Sequence, residues 1–279
     1  MIVPLYDHEN HEKNPVVKFP NGGNTGLWYN KFFRNWNEEW KIKDNGKINW
    51  LKDVVWEGNK NKRIRKRKIG KPQLIKEYIN RINYLVNTLG GETRVYFTNW
   101  HMAIGLGLSH PIENGMTWHH NLGIPYIPGS SLKGIIRTWA EQWSCTAREN
   151  IDRIFGPFHY SNENNDDKKG TGDDEAVGTI IFFDALPVEP VELAADIMTP
   201  HYQEYYSKTG KLPGDWYDPK PIPFLTVGAS QLFMFAVAPR KKDYISDMDL
   251  VLGWLDEALT TIGAGAKTAT GYGRFTRQT

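Results

Sequence analysis

The sequence is poor in cysteine, in long apolar segments and in net charge. Cys145 is the only cysteine among 279 residues, which excludes an internal disulfide and a cysteine-based zinc site. The lack of a long apolar segment and of a signal-like N-terminal region predicts a cytoplasmic protein with no membrane partner. A formal net charge of +2 excludes a strongly basic protein, so a nucleic acid would have to be bound through a local patch or with the help of partner subunits.

Catalytic motifs are also lacking. The sequence contains no HExxH and no GxSxG, and two adjacent histidines do not present two metal ligands on one helix face. We therefore predict no catalytic residue, no metal site and no cofactor, and we interpret the histidines and nearby carboxylates as hydrogen-bonded structural or interface residues. These are His101, His110, His119, His120, His201, Asp184 and Asp196. One alternative stays open, in which His119 or His201 acts beside a ribose 2′-OH and Lys133 holds the phosphate of a metal-independent ribonuclease site.

The stretch with the clearest chemistry is a turn followed by a basic amphipathic helix. Residues Ile127–Trp143 read IPGSSLKGIIRTWAEQW, in which Ser130 and Ser131 are good N-cap residues and apolar residues follow at helical spacing. Lys133 and Arg137 lie four residues apart near the start, where free backbone N–H groups and the positive end of the helix dipole attract anions. This pattern predicts a phosphate site, and the alternative is a surface helix with solvated basic residues.

A second stretch, residues 263–275, reads GAGAKTATGYGRF. Its glycines allow the backbone to adopt positive φ or to approach a ligand closely, and it carries two cations, Lys267 and Arg274. The spacing does not fit a Walker motif, so the stretch alone is a weak signal for phosphate binding.

The first third of the chain offers three helices and a basic run. Leu27–Trp40 carries aromatic residues at four-residue steps, which predicts a helix whose aromatic face packs inside the protein or docks a neighbouring subunit. Ile48–Trp56 predicts a short helix, and Gln73–Leu89 predicts an amphipathic helix ended by two glycines. Asn59–Lys71 is the densest basic run and is either a nucleic-acid patch or a solvated basic loop.

From Arg94 onward the elements follow the order strand, helix, strand, strand, helix, strand. This is the βαββαβ order of an α+β, ferredoxin-like fold, which RRM domains use to bind RNA. We predict a helical N-terminal extension over residues 1–92 and a core over residues 93–279, with insertions at 156–178 and 187–223. The first core strand is predicted to begin at Arg94, and the other three to lie within Thr179–Leu186, Phe224–Ala238 and Gly271–Thr276. The second core helix is predicted over Leu250–Ile262.

The PGSSLKG motif together with the late glycine-rich stretch resembles the RAMP superfamily of CRISPR RNA-handling proteins. Further blocks are similar to a subunit of the type III-B CRISPR effector, the Cmr complex, and the resemblance extends roughly from Thr93 to the end. These blocks are Gly105–Ala140, Phe182–Pro187, Asp196–Tyr206 and Pro221–Val227.

The resemblance implies a modified ferredoxin-like RAMP fold and a non-catalytic, RNA-binding structural subunit that caps the effector backbone near the guide RNA 3′ end and helps antiviral defence. It implies guide RNA, target RNA and other Cmr RAMP subunits as partners, and it assigns target cleavage to a neighbouring subunit. The alternative is a stand-alone RAMP endoribonuclease that processes guide precursor RNA. We predict that one RNA groove is lined by Ser130, Ser131, Lys133, Arg137, Gly263, Gly265, Lys267, Thr268 and Arg274.

Overall fold

The computed structural model describes residues 19, 22–58, 64–157, 177–201, 205, 212 and 219–278. The chain divides into two compact units, and each unit is assembled from separate stretches of sequence. The first unit takes residues 1–71, 103–125 and 190–228, and the second takes residues 72–102, 126–189 and 229–279. The predicted division into an extension, residues 1–92, and a core, residues 93–279, stays a prediction about the domains.

The helices are α1 (Thr25–Lys31), α2 (Gly46–Val55), α3 (Pro72–Thr88), α4 (Gly129–Gln142), α5 (Arg148–Phe155) and α6 (Ser246–Thr261). The strands are β1 (Trp56–Glu57), β2 (Arg65–Lys66), β3 (Lys68–Ile69), β4 (Glu92–Thr98), β5 (Ile180–Phe182), β6 (Leu186–Pro187), β7 (Val191–Met198), β8 (Ile222–Val227), β9 (Leu232–Pro239) and β10 (Phe275–Arg277). Two 3₁₀ turns cover Lys242–Tyr244 and Thr268–Thr270.

The second unit contains an antiparallel sheet with the strand order β10-β4-β9-β5, and β6 also pairs with β9. Thr98 lies opposite Phe275, and Val95 lies opposite Met234. Along the chain, the elements β4, α4, β5, β9, α6 and β10 follow the βαββαβ order, and both central strands pair only in the antiparallel sense. The predicted α+β, ferredoxin-like architecture is therefore confirmed.

Apolar side chains at helical spacing explain why α4 and α6 pack in this unit. The buried residues recur every three to four positions on each helix, which is the pattern of an amphipathic helix with one core-facing stripe. They are Leu132, Ile136 and Ala140 on α4 and Val251, Leu255, Ala258 and Leu259 on α6. In the sheet beneath, Phe235 meets Phe275 edge to face, with ring centroids 5.3 Å apart.

The first unit contains a three-stranded antiparallel sheet, β3-β7-β8, against which α2 packs. Its core is aromatic: Trp28 stacks on Trp50 with ring centroids 4.0 Å apart, and both side chains are buried. Tyr29 and Phe33 complete the cluster around Trp50. Such large rings bury much apolar area, which allows a small unit to hold its core.

The predicted aromatic helix over Leu27–Trp40 is wrong in its second half. Helix α1 ends at Lys31, and Phe32 is its C-cap residue. The side chain of Asn37 accepts hydrogen bonds from the backbone N–H groups of Glu39 and Lys41, and such local bonds compete with helical ones. The packing interpretation holds for Trp28, whereas Trp40 is 55% exposed.

Two further predictions about the C-terminal half are corrected. The segment 187–223 is not an irregular insertion throughout, because its residues 191–198 form β7 and pair with β8. The single strand predicted over Phe224–Ala238 is two strands, β8 and β9, which belong to different sheets. The break falls at Gly228–Ser230, where Ser230 adopts a positive φ of 59°, a conformation that a continuous strand does not contain.

Several expectations lie outside the described residues. They concern residues 1–18 of the predicted N-terminal extension, residues 59–63 of the basic run, residues 158–176 of the first predicted insertion, and residues 202–204, 206–211 and 213–218 of the second. The helices predicted at Ile48–Trp56 and Gln73–Leu89 are confirmed as α2 and α3. Gly90 follows α3 with a positive φ of 76°, which is the conformation that favours glycine just after a helix.

Candidate functional site

The start of helix α4 is capped by a carboxylate from a distant part of the sequence. The helix begins at Gly129 with Pro128 at the N-cap position, so the predicted N-cap role of Ser130 and Ser131 is wrong. The Gly129 N–H instead donates to Asp184 Oδ1 at 2.7 Å. A negative charge at this position stabilises the first turn through the hydrogen bond and the helix dipole.

Asp184 lies in a different environment from the one that the sequence predicted. Its apolar neighbours suggested a residue inside a strand, but β5 ends at Phe182 and β6 begins at Leu186, and Asp184 is exposed between them. Gly129 approaches this break so closely that a Cβ atom there would overlap the Phe182 carbonyl oxygen. The glycine of the PGSSLKG motif thus allows the helix start to reach its cap.

The next two residues present donors at the helix start. Ser130 and Ser131 are exposed, and within the described part of the chain their backbone N–H groups have no hydrogen-bond partner. The first intrahelical bond runs from the Leu132 N–H to the Pro128 carbonyl oxygen at 3.0 Å. These donors match the requirement of an anion at a helix N-terminus.

Lys133 lies one turn into α4 among other positive charges. Burial lowers the pKa of the Lys133 ammonium group, and the positive charges of Arg137 and Arg240 lower it further. Within the described residues Lys133 forms no ion pair. The charged form of this lysine is therefore poorly compensated, which is a typical property of a group that binds an anionic ligand.

Arg137 donates hydrogen bonds to three groups within the protein. Its Nε donates to Glu141 at 2.8 Å, and its other nitrogens donate to Asp152 at 3.0 Å and to the Gly156 carbonyl oxygen at 2.9 Å. Its side chain is only 12% exposed. These contacts join α4 to α5, and they direct much of the guanidinium group toward the protein.

The glycine-rich stretch folds against itself. The Ala264 N–H donates to the Gly273 carbonyl oxygen at 2.8 Å, and the Gly273 N–H donates to the His101 carbonyl oxygen at 2.9 Å. Gly263, Gly265 and Gly273 all adopt positive φ, at 84°, 100° and 66°. A Cβ at Gly263 would lie 2.7 Å from the Gly273 oxygen, so these glycines serve the close approach of two backbone segments.

The cations of this stretch have separate environments. Arg274 donates to the Thr260 carbonyl oxygen at 3.2 Å, near the C-terminal end of α6, where a positive charge is favourable. Lys267 is partly exposed with a left-handed backbone, and Thr268 begins the following 3₁₀ turn. Gly265 is exposed beside them.

Topology brings the two predicted stretches to one end of the helix pair. Each of the two helices connects strands that run parallel to one another, so α4 and α6 run in opposite directions. Trp139 Nε1 donates to Glu257 at 2.8 Å, which fixes one contact between them. Lys133 and Gly263 each lie six residues from that contact, about 9 Å along the helix direction, toward the same end.

Sequence reasoning missed Arg240, whose charge acts on Lys133. Arg240 follows directly after β9 and donates to the Gly178 carbonyl oxygen at 3.1 Å. No local motif marks it, because its proximity to α4 depends on the pairing of β5 with β9. Part of the basic run forms β2 and β3, and Arg67, between these two strands, lies over the Phe19 ring at 3.8 Å.

His110, His119 and His120, which belong to the first unit, have structural partners. His110 stacks on Tyr29 with ring centroids 4.3 Å apart, and its Nε2 lies 2.9 Å from the Tyr29 carbonyl oxygen. Burial lowers the pKa of His110, partly offset by that hydrogen bond. His119 Nδ1 accepts from the Leu122 N–H at 3.3 Å, and the carbonyl oxygen of His120 accepts from Asn24.

Two features are absent from the part of the chain that the structure describes. There, no group of three or more histidine, cysteine, aspartate or glutamate side chains is arranged to hold a metal ion. No helix among the described residues is long and apolar enough to cross a membrane.

Comparison with known proteins identifies the family. The RAMP superfamily matches residues 98–276, more than half of the chain. The chain is 30% identical to the CRISPR system Cmr subunit Cmr6 of Pyrococcus furiosus over 252 residues, covering 73% of each chain. It is 24% identical to Cmr6 of Saccharolobus solfataricus over 208 residues, covering 72% of this chain and 61% of that relative.

A solved structure of the type III-B Cmr-β complex bound to cognate target RNA contains a chain of the same fold. The TM-score is 0.62 at 20% sequence identity, over 88% of this chain and 78% of the other. At this identity the likeness concerns the fold, which agrees with the βαββαβ order of the second unit. The sequence matches carry the assignment: the chain belongs to the RAMP superfamily and, within it, to the Cmr6 family.

Proposed function

We propose that this protein is a non-catalytic, RNA-binding structural subunit of a type III-B CRISPR effector, which caps the Cmr backbone near the guide RNA 3′ end. Its partners are guide RNA, target RNA and other Cmr RAMP subunits, and its role is antiviral defence in the cytoplasm. Family membership supports this role, because its relatives are named as subunits of the Cmr system. The fold shared with a chain of an RNA-bound Cmr complex agrees with it.

One structural observation carries the RNA-binding part of the proposal. Lys133 is half-buried beside two guanidinium groups, and burial with their charges lowers its pKa. Within one turn of it, Ser130 and Ser131 present backbone N–H groups that have no partner among the described residues. A phosphate group would supply the missing negative charge and the missing acceptors together. Lys267 and Thr268, at the same end of the helix pair, extend the surface.

The predicted groove residues divide into two groups by their contacts. Ser130, Ser131, Lys133, Gly265, Lys267 and Thr268 supply groups that a phosphate can reach, since each is at least partly exposed. Arg137, Gly263 and Arg274 support the surface through contacts within the protein. Phosphate contacts dominate, so binding should depend little on RNA sequence.

Salt-dependent RNA binding tests the groove. In the assembled complex, Lys133→Ala should weaken RNA binding about equally for different sequences. It should also make the salt slope, which is the slope of log affinity against log salt concentration, shallower by about one unit. Lys76→Ala, which removes an exposed lysine of α3, is the control and should leave the affinity and its salt dependence unchanged. If Lys133→Ala also leaves affinity and slope unchanged, the groove lies elsewhere, and the basic run Asn59–Lys71 becomes the first place to examine.

Purification from the native host tests the subunit role. The tagged chain should bring down other RAMP subunits together with a guide RNA. Recovery of the chain alone and free of RNA, under conditions that preserve other Cmr assemblies, would contradict the proposal.

A further inference from the structure

An exposed aromatic stack lies beside the glycine-rich stretch. Trp100 follows β4 and is 55% exposed. Its ring lies on His101 with centroids 4.7 Å apart and an interplanar angle of 10°. His101 in turn lies 6.5 Å from the Tyr272 ring. One face of the indole is thus covered by a histidine, and the exposed area belongs to the rest of the ring.

The backbone around this stack is fixed by hydrogen bonds. The Asn99 N–H donates to the Arg274 carbonyl oxygen at 2.9 Å, and the His101 carbonyl oxygen accepts from the Gly273 N–H at 2.9 Å. These bonds lie on either side of Trp100. The indole is therefore presented by a segment that the sheet and the glycine-rich stretch hold in place, and its ordering cost on binding is small.

The charge around Trp100 favours a polyanion. Residues 93–102 and 262–278 contain no aspartate or glutamate, and residues 262–278 supply Lys267 and Arg274, whereas Arg277 forms an ion pair with Asp256 at 3.3 Å. A second exposed pair differs in this respect: Trp143 is 54% exposed and stacks on Trp139, but the Trp139 indole donates to Glu257. That second pair therefore has a carboxylate hydrogen-bonded directly to one of its rings, which disfavours a polyanion stacked there.

We propose that the open face of Trp100 stacks a nucleobase of single-stranded RNA whose phosphates lie on the groove formed by Ser130, Ser131, Lys133, Lys267 and Thr268. A large aromatic ring beside cationic backbone contacts is the arrangement with which proteins hold single-stranded RNA without reading its sequence. This inference rests on the proposed RNA-binding function and adds a base contact to it. The phosphate groove alone would hold the RNA backbone but would leave the bases without a fixed position.

Substitution of Trp100 in the full-length chain tests the inference. We expect Trp100→Ala and Trp100→Leu to weaken binding of a fluorescent single-stranded RNA by about 5- to 140-fold, the range of one base stacked on an aromatic ring. Trp100→Phe should retain most of the affinity. The salt slope should stay unchanged, because no phosphate contact is removed. Trp143→Ala, which truncates a tryptophan of equal exposure, should bind as the wild type.

An RNA with abasic nucleotides separates stacking from other roles. On this RNA the wild type should lose affinity, and Trp100→Ala should cause no further loss. Equal losses on normal and abasic RNA, or a changed salt slope, would overturn the stacking role. A loss of complex assembly without any loss of RNA binding would make Trp100 a protein contact instead.

The outcome for Lys133 distinguishes this inference from the proposed function. If Lys133→Ala weakens RNA binding and Trp100→Ala does not, the phosphate groove stands and the base platform is wrong. If the wild-type chain binds no single-stranded RNA, alone or in the assembled complex, both ideas are wrong.

Discussion

Two charged residues near the start of α4 have opposite roles, and each role is visible in its contacts. Asp184 completes the hydrogen bonding of the helix start through Gly129, so it stabilises the fold. Lys133 is held among like charges, so it lowers stability while no anion is bound. Proteins commonly keep a destabilising residue at a position where that residue is needed for function.

Replacing Lys133 by methionine should raise stability while it weakens RNA binding. Because the pKa of Lys133 is lowered in the folded chain, the charged form is less favourable there than in the unfolded chain. Because Lys133 is only partly buried and solvent screens its charge, the gain in free energy of unfolding should be at most about 1 kcal/mol at neutral pH. It should shrink as pH rises through the lowered pKa toward the ordinary lysine value of 10.5. Calorimetry of both chains at neutral and alkaline pH measures this.

The control for this prediction is Lys76→Met on α3, at an exposed position. It should change the melting temperature little at either pH. A Lys133→Met chain that is less stable than the wild type at neutral pH would show that the lysine stem, and not its charge, dominates at this position.

Asp184→Ala should destabilise the chain by about 0.5–2 kcal/mol, the usual cost of removing a helix cap. Asp184→Asn keeps an acceptor for the Gly129 N–H and should lose less. Denaturant titration of both variants gives the free energies of unfolding. If the two variants lose the same amount, the charge of Asp184 matters and its hydrogen bond does not.

At the scale of elements, helices α3, α4 and α6 and most strands of the second unit could be predicted from local sequence pattern, but helix α5 (Arg148–Phe155) and the role of the glycines could not. The spacing of apolar residues on α4 and α6 indicates which helix face is buried, and this spacing can be read from neighbouring residues in the sequence. The purpose of a glycine depends on what lies opposite it. Gly273 faces Ala264, and Gly129 faces the end of β5, and neither neighbour is visible from the glycine's own surroundings in the sequence.

The same limit explains the missed elements. Sequence pattern does not predict strand β7, because only part of it alternates and its partner β8 lies beyond a segment of more than twenty residues. The break between β8 and β9 was missed because both strands are apolar and only Gly228–Ser230 separates them. Periodicity finds a buried segment, but it does not assign the segment to one of two sheets.

Two alanine substitutions separate the two uses of glycine in the loop after α6. Gly271 and Gly273 both have positive φ, at 95° and 66°, but a Cβ at Gly271 meets nothing within 4 Å, whereas one at Gly273 overlaps the Ala264 carbonyl oxygen. Gly271→Ala should therefore cost only the backbone strain, about 1–2 kcal/mol, and Gly273→Ala should cost several kcal/mol. Similar losses of melting temperature in the two variants would contradict this account.

At the scale of the whole molecule, the chain passes repeatedly between two units, and the RAMP match covers residues 98–276. The candidate groove lies entirely in the second unit, whereas His110, His119 and His120 belong to the first and have structural contacts there. A nuclease site that combines these histidines with Lys133 would need side chains from both units. In the described structure the histidines have structural contacts, and Lys133 belongs to the candidate groove.

We therefore expect that target RNA cleavage by the assembled complex does not depend on these side chains. His119→Ala, His120→Ala, His201→Ala and Asp184→Asn, made one at a time, should each leave the cleavage rate within about twofold of the wild type, since removing a general acid or base typically costs 10²- to 10⁴-fold. The asparagine variant is used at position 184 because it keeps the acceptor for the start of α4. Complex assembly and RNA affinity are measured in parallel. A large loss of cleavage from one substitution, with assembly and affinity intact, would place a catalytic group in this subunit.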